Sequence, residues 1–236
     1  SILNATPFYG KVLEVEDLNH DIKRIKFELK EEFPFKPGQY LQIEVPGLEE
    51  TRAYSIASDT KDLHHPEVII RFVPGGIATK FVHKALMVGD KIKITGPFGD
   101  FFLQEESDKP MIMIAGGSGM APIRSILFKL MDLGFKRKAT YFFGARTKKD
   151  LFYTDELFEI SKKYPNFTYI PALSTPLPDD KWSLDEGLIT EVVARHTDDL
   201  SGHEAYLCGS PGMIDASIKV LKEKGMKDEN IYFDKF

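Results

Sequence analysis

Residues 51–58 read TRAYSIAS and put a guanidinium at Arg52, a phenol ring at Tyr54 and a hydroxyl at Ser55 almost side by side. A strand of a small barrel has no structural need for that trio. One ligand with an anionic, a flat and a hydrogen-bonding part would need all three. Strict alternation gives this strand an outward row of Arg52, Tyr54 and Ile56 and an inward row of Ala53, Ser55 and Ala57. A ligand touching both Tyr54 and Ser55 must therefore lie across the strand end, or the strand must twist there. Regular geometry is expected as far as Tyr54 and not beyond it.

Three glycine-rich turns could serve the same ligand or a second one. GGSGMAP, residues 116–122, follows an apolar run and opens a helix. Gly117 and Gly119 allow a tight turn and close backbone approach, and Pro122 suits a first helical turn. Free N–H groups and the positive end of the helix dipole would then face a phosphate. Pro122 replaces the third glycine of the common dinucleotide fingerprint, so a plain strand-to-helix turn remains an equal reading. YLCGSPGM, residues 206–213, is a second such crossing, with Cys208 either at a site edge or a small core hydrophobe. RFVPGGIATKFV, residues 71–82, offers Thr79 as a phosphate ligand or as an ordinary helix cap.

The elements around these turns fall into two halves. Before residue 103, YGKVLEVEDL, DIKRIKFEL, GQYLQIEVP, TRAYSIAS, EVIIRFV and DKIKITGPFG are short strand-like runs separated by turn residues, which predicts a small antiparallel barrel. GIATKFVHKAL is the one helix expected there. From Lys109 onward, five strand-like runs (MIMIAG, TYFFGAR, FTYIPALS, EAYLCG and IYFD) alternate with helical ones. Ile123, Ile126, Leu127, Leu130 and Met131 carry helical spacing, with Gly134 as the stop. That alternation predicts a five-stranded parallel sheet. The division falls in the charged segment LQEESDKP, giving units of 1–106 and 107–236. Phe101 and Phe102 are expected in core and turn.

A net charge of −5 and no lysine or arginine block argue against nucleic acid. The single cysteine cannot hold an iron–sulfur cluster, a structural zinc or an internal disulfide. His64 and His65, beside Pro66, read as solvated loop rather than metal ligands. No apolar run is long enough to span a membrane, so cytoplasmic work, or work at the cytoplasmic face of a membrane complex, is expected. The first residue is Ser, not Met, compatible with a processed chain or an excised piece.

In order along the chain come Arg-x-Tyr-Ser, Gly-x-x-Thr, GPFG, Gly-x-Gly-x-x-Pro, GAR, Cys-Gly-x-Pro and an acidic-x-aromatic segment. This series resembles the ferredoxin–NADP reductase superfamily of two-domain flavoproteins, across nearly the whole chain. TGPFGDFF, ALSTPLPDDKW and LCGSPGMIDA make it similar to the FAD/NADH reductase modules of bacterial multicomponent oxygenases. They make it similar also to the reductase part of the sodium-translocating NADH:quinone reductase. The resemblance implies a six-stranded Greek-key barrel for FAD followed by an α/β domain for NADH. Arg52 would bind the FAD pyrophosphate, Tyr54 would lie on the flavin and Ser55 would meet N5. Ala53, Arg71 and Val73 would complete that wall, with Gly76, Ile77, Ala78 and Thr79 closing on the phosphates. Gly117, Ser118, Gly119 and Pro122 would cradle NADH, with Arg146, Ser174, Pro211 and Met213 alongside. Cys208 and Gly209 would border the nicotinamide. Asp234 and Phe236 match the acidic-x-aromatic segment, with Phe236 covering the flavin until the nicotinamide displaces it. Ser55, Cys208, Asp234 and Phe236 are the expected catalytic set. No arginine follows Ser174 to hold a 2′-phosphate, which favours NADH over NADPH, although Arg146, Lys148 and Lys149 could hold one.

The function expected from the resemblance is an NADH reductase that passes single electrons to an iron–sulfur protein or domain outside this chain. The alternatives are a free-standing NAD(P)H reductase for free flavin, ferric chelates or a haem protein, and a regulatory module that keeps flavin for structure only.

Overall fold

A computed structural model describes residues 6–45, 50–73, 75–76 and 86–236. The expected helix GIATKFVHKAL, with Ile77, Ala78 and Thr79, lies almost entirely outside the described residues.

The first half is six strands: β1 (Phe8–Asp17), β2 (Ile22–Glu28), β3 (Tyr40–Val45), β4 (Glu50–Ser55), β5 (Glu67–Arg71) and β6 (Lys91–Phe98). They pair antiparallel in the order β4-β3-β6-β1-β2-β5. An Ile56–Val68 bridge brings the two edge strands together and closes the barrel. β3 alternates inside and outside residues, as a strand with one wet face should, and β2 does so from Arg24 onward. Val12, Ile25, Phe27, Phe33, Ile70 and Ile94 fill the interior.

The second half has strands β7 (Met111–Gly116), β8 (Ala139–Ala145), β9 (Phe167–Leu173), β10 (Asp185–Glu186), β11 (Glu204–Gly209) and β12 (Ile231–Lys235). Its helices are α1 (Met120–Asp132), α2 (Thr154–Lys163), α3 (Ile189–His196) and α4 (Pro211–Glu223). The sheet is parallel, ordered β10-β9-β8-β7-β11-β12, so it has six strands where five were expected. The extra one, β10, is two residues long, Asp185 and Glu186, and pairs only with the end of β9. A strand that short has no periodicity to read. β7 is buried along almost its whole length, the signature of a strand covered on both faces.

The core on one face of the sheet does not stop at the sheet. Ile22, Ala57, Ile69, Phe101 and Leu103 from the barrel side join Met113, Ile123, Tyr141 and Phe143 in one cluster. A fully buried isoleucine contributes roughly 1.5–3 kcal/mol. Ile22 and Ile69 therefore hold the halves together more firmly than an exposed ion pair, worth about 0–1 kcal/mol. The segment between β6 and β7 is pinned as well. The buried Arg137 pairs with Glu204 and donates to the carbonyls of Lys109 (2.8 Å) and Gln104 (3.1 Å). No helix among the described residues is long and apolar enough to cross a membrane.

β4 departs from its expected facing. Ile56 is wholly buried in the barrel core, and Tyr54 packs against that core. Ser55 and Ala57 are on the other side, and Ala57 belongs to the joint core with α1. Tyr54 and Ile56, expected outside, face the barrel core, and Ser55 and Ala57, expected inside, face the second half, while Arg52 and Ala53 earlier in the strand are exposed. Residues 55–58 are all buried, because the chain there runs between two cores and has no wet face to mark.

Candidate nucleotide and flavin site

The carboxyl ends of β7, β8, β9, β11 and β12 meet the start of β3 and the ends of β4 and β5 around a cleft of about 860 Å³. Its position obeys the rule that parallel sheets bind ligands beyond the carboxyl ends of their strands. Its size is that of a cofactor or substrate pocket.

On the barrel wall are Tyr40, Ala53, Tyr54, Ser55, Arg71 and Val73. Ser55 is only 7% exposed and its hydroxyl makes no hydrogen bond among the described residues, but its oxygen stays accessible from the cleft, unlike the sealed, unpartnered oxygens of Ser125, Tyr153, Tyr169 and Ser217. Burial raises the Tyr54 phenol above its ordinary value, against the nearby Arg52 charge, so the ring is neutral. On the opposite wall the 3-10 turn Gly117–Gly119 presents Gly117 and Ser118. Gly117 has φ +55° and nothing within 4 Å of the place a Cβ would take, an open backbone surface. Arg146 and Ser174 stand at the ends of β8 and β9, Gly209 at the end of β11 and Met213 on α4. Arg146 has no carboxylate partner among the described residues. Asp234 and Phe236 close the cleft, with the Phe236 N–H donating to the Gly209 carbonyl at 2.8 Å.

Residues 9–103 match the oxidoreductase FAD-binding domain, and residues 113–219 match the oxidoreductase NAD-binding domain. A phenol hydroxylase P5 protein of Acinetobacter pittii is 41% identical over 231 residues, 97% of this chain and 65% of that protein. The reductase component of the naphthalene 1,2-dioxygenase system of Pseudomonas putida, named a ferredoxin–NAD(P)+ reductase, is 35% identical, covering 96% and 68%. The crystal structure of the Amycolatopsis cytochrome P450 reductase GcoB superposes with a TM-score of 0.92 at 32% identity, covering 98% and 70%. The chain belongs to the ferredoxin–NADP reductase superfamily. It spans about two thirds of the length of these curated relatives.

For a member of this superfamily the cleft fits both cofactors. The Ser55 hydroxyl open to the cleft, the neutral Tyr54 ring and the open Gly117 backbone offer a hydrogen-bonding group, a flat surface and room for close approach, which suits a flavin and a dinucleotide. Some expected residues are elsewhere. Arg52 is exposed and engaged by Glu50 at 2.9 Å and by the Thr51 carbonyl at 3.0 Å, off the wall. Gly76 donates its N–H to the Val73 carbonyl and is not on the wall either. Pro122 is buried in α1, and Pro211 is exposed at the first turn of α4. Cys208 is fully buried beneath the wall, and burial, with the Asp234 charge second, pushes its thiol well above the ordinary value. Such a thiol stays neutral and is no nucleophile; Gly209 borders the cleft in its place. Gly119 packs against the Cys208 backbone rather than opening to the cleft.

The sequence reading missed Tyr40, Gly144, Gly187, Leu188 and Lys235 on the wall. Gly144 had a signal, lying in the GAR motif. Tyr40 and Leu188 look in sequence like ordinary strand and helix-entry residues.

Burial pushes the Asp234 carboxyl above its ordinary value, and it has no hydrogen-bond or ion-pair partner among the described residues. A raised folded-state pKa means that the stability this group contributes is present at low pH and lost as pH rises through that pKa. Asp234→Asn is therefore expected to melt higher than wild type at pH 8, with the gap closing as pH falls toward about 4. Thermal melts across that range check it; equal melting temperatures at pH 8 contradict it.

Proposed function

We propose that this chain is a FAD-dependent NADH reductase module that passes single electrons to an iron–sulfur acceptor on a separate protein or on a domain outside these residues. Bound FAD would supply the chemistry, taking up a hydride and giving electrons up singly. The observation that carries the reading is the Ser55 hydroxyl, unpartnered among the described residues and open to the cleft that the Gly117–Ser118 turn also lines. Ser55 and Tyr54 would orient the flavin, Arg71 would hold its phosphate arm, and Gly117, Ser118 and Arg146 would hold the nucleotide. Phe236 would exclude water until the nicotinamide arrives. The names of the relatives support a protein acceptor, since one is a ferredoxin–NAD(P)+ reductase component and another a cytochrome P450 reductase. One cysteine leaves no way to hold a [2Fe–2S] cluster within this sequence. The two units would divide at residues 106 and 107, between β6 and β7, and the work would be done in the cytoplasm.

The preference for NADH rests on Asp180. Its carboxylate accepts from the N–H groups of Leu177 (2.9 Å) and Lys148 (3.2 Å), fixing a negative charge between the loops that follow β8 and β9. A 2′-phosphate brought near Ser174 would meet that charge.

Titrating the purified, FAD-loaded chain with each nucleotide tests the proposal. NADH should bleach the flavin band at concentrations at least ten-fold below NADPH, about 1.4 kcal/mol of discrimination. A chain that takes up no FAD, or is bleached better by NADPH, contradicts the reading. A [2Fe–2S] ferredoxin should then be reduced faster than free flavin or a ferric chelate, and the reverse order removes the acceptor assignment.

A further inference from the structure

One short turn of the barrel reaches Arg71 on one wall of the cleft and, on the other side, the loop that follows Arg146. Residues 18–21 join β1 to β2. On the flavin side, the Asp21 carbonyl accepts from the Phe72 N–H at 2.8 Å, and its Oδ2 lies 3.5 Å from Arg71 Nε. On the nucleotide side, Asn19 Nδ2 donates to the Asp150 carbonyl at 3.0 Å, and the His20 Nε2–H donates to Asp150 Oδ1 at 2.5 Å. Within the turn, Asn19 Oδ1 accepts from the Asp21 N–H at 3.0 Å, so the two sides are braced against each other. Asp150 passes the contact on. Its Oδ2 accepts from the N–H and the hydroxyl of Thr147 at 3.1 and 3.2 Å, and Thr147 follows Arg146 directly. Partial burial would raise the Asp150 carboxyl, but the His20 and Thr147 hydrogen bonds outweigh it and leave the group below its ordinary value. Asp150 is thus an acceptor at neutral pH.

We propose that this turn is a clasp that sets the spacing of Arg71 and Arg146 across the cleft, with Asn19 and His20 as positioning residues for the nicotinamide nucleotide. The inference rests on the reading of the cleft as a nucleotide site. Magnitudes separate this role from a stabilising one. The hydrogen bonds are at the surface, about 1 kcal/mol each, and the halves are held by the joint apolar core. Other polar ties between the halves, Arg124 to the Ala57 carbonyl (3.1 Å) and Lys61 to Asp132 (3.1 Å), reach α1 and not these loops. Loss of the clasp therefore leaves the fold standing and removes the barrel's hold on the loop that carries Arg146, which then keeps its ties to Thr175 and Asp180.

The double variant Asn19→Ala, His20→Ala tests the clasp in the FAD-loaded chain, with His20→Gln as the variant that keeps a donor. Amide hydrogen exchange, read without nucleotide, should speed up in residues 146–151 and 71–72 of the double variant and stay unchanged in β7 and β11. The KM for NADH should rise roughly three- to ten-fold, as expected for two surface hydrogen bonds, with kcat within about two-fold. His20→Gln should stay near wild type in both. Unchanged exchange in residues 146–151, or an unchanged KM, overturns the clasp. A wild-type chain that NADH does not reduce overturns the nucleotide reading instead, while the exchange arm still reports on the clasp.

Discussion

Gly119→Ala is expected to lower the melting temperature by roughly ten degrees, the largest loss of stability from any single methyl group in the nucleotide half. A Cβ built on Gly119 would stand 2.2 Å from the Cys208 carbonyl oxygen and 2.7 Å from its carbon. Both are backbone atoms of β11, paired on one side to β7 and on the other to β12. No rotamer change relieves such a clash; the first turn of α1 or a central strand must shift. Overpacking of this kind costs about 3 kcal/mol at the upper end of its usual range. Gly119 has an ordinary helical φ of −61°, so backbone strain plays no part. Gly117→Ala makes the informative contrast. There φ is +55° and nothing lies within 4 Å, so the penalty is the left-handed conformation alone, about 1–2 kcal/mol. Its methyl group would enter the cleft, so it should weaken NADH binding more than Gly119→Ala does relative to the stability each loses. Paired thermal melts and NADH titrations check both halves. A Gly119→Ala protein that melts like wild type would show that β11 yields, and the packing argument would fail.

These two glycines show what a sequence can and cannot convey. Both stood out because a turn between an apolar run and a helix needs small residues, and the turn is where it was expected. Their different tasks could not be told apart. What makes Gly119 necessary is the backbone of residue 208, and nothing local to residues 116–122 announces it. The same limit explains Cys208: its place at the end of a strand was legible, but its burial depends on which way the β11 pleat faces. The two-half architecture was legible because periods of two and 3.6 survive over whole elements. β10 was not, being two residues whose strand state comes entirely from pairing with β9. The facing of β4 was misjudged because a strand between two cores is apolar on both sides, so alternation carries no sign. Arg52 stands out in its motif, and its exposed ion pair with Glu50 could not be read from the sequence. The clasp joining His20 to Asp150 spans 130 positions of the chain and leaves no pattern at either end.

Ser55→Ala is expected to slow flavin reduction by NADH about ten- to one hundred-fold, a loss of roughly 1.4–2.8 kcal/mol in the transition state. Side-chain hydroxyls seldom stay buried without a hydrogen bond, because the desolvated group costs roughly 1–3 kcal/mol. The Ser55 oxygen is not sealed off in this way: it opens on the cleft, where water can serve it until a ligand arrives. Alanine in its place should therefore leave the FAD-free protein as stable as wild type. The hydroxyl acquires a purpose only with a ligand in the cleft, where it would meet the atom of the flavin that receives the hydride. A hydrogen bond there strengthens as charge develops and acts on the rate more than on binding. FAD affinity, for which Tyr54, Arg71 and the phosphate contacts are the proposed determinants, should fall only a few-fold, about 1 kcal/mol for one neutral hydrogen bond. Stopped-flow reduction, FAD titration and a melt of the FAD-free chain read the three effects separately. Reduction at the wild-type rate removes Ser55 from catalysis. A large loss of stability without FAD would show instead that the hydroxyl has a partner within the chain, and the cleft would lose the feature that argues most directly for a flavin.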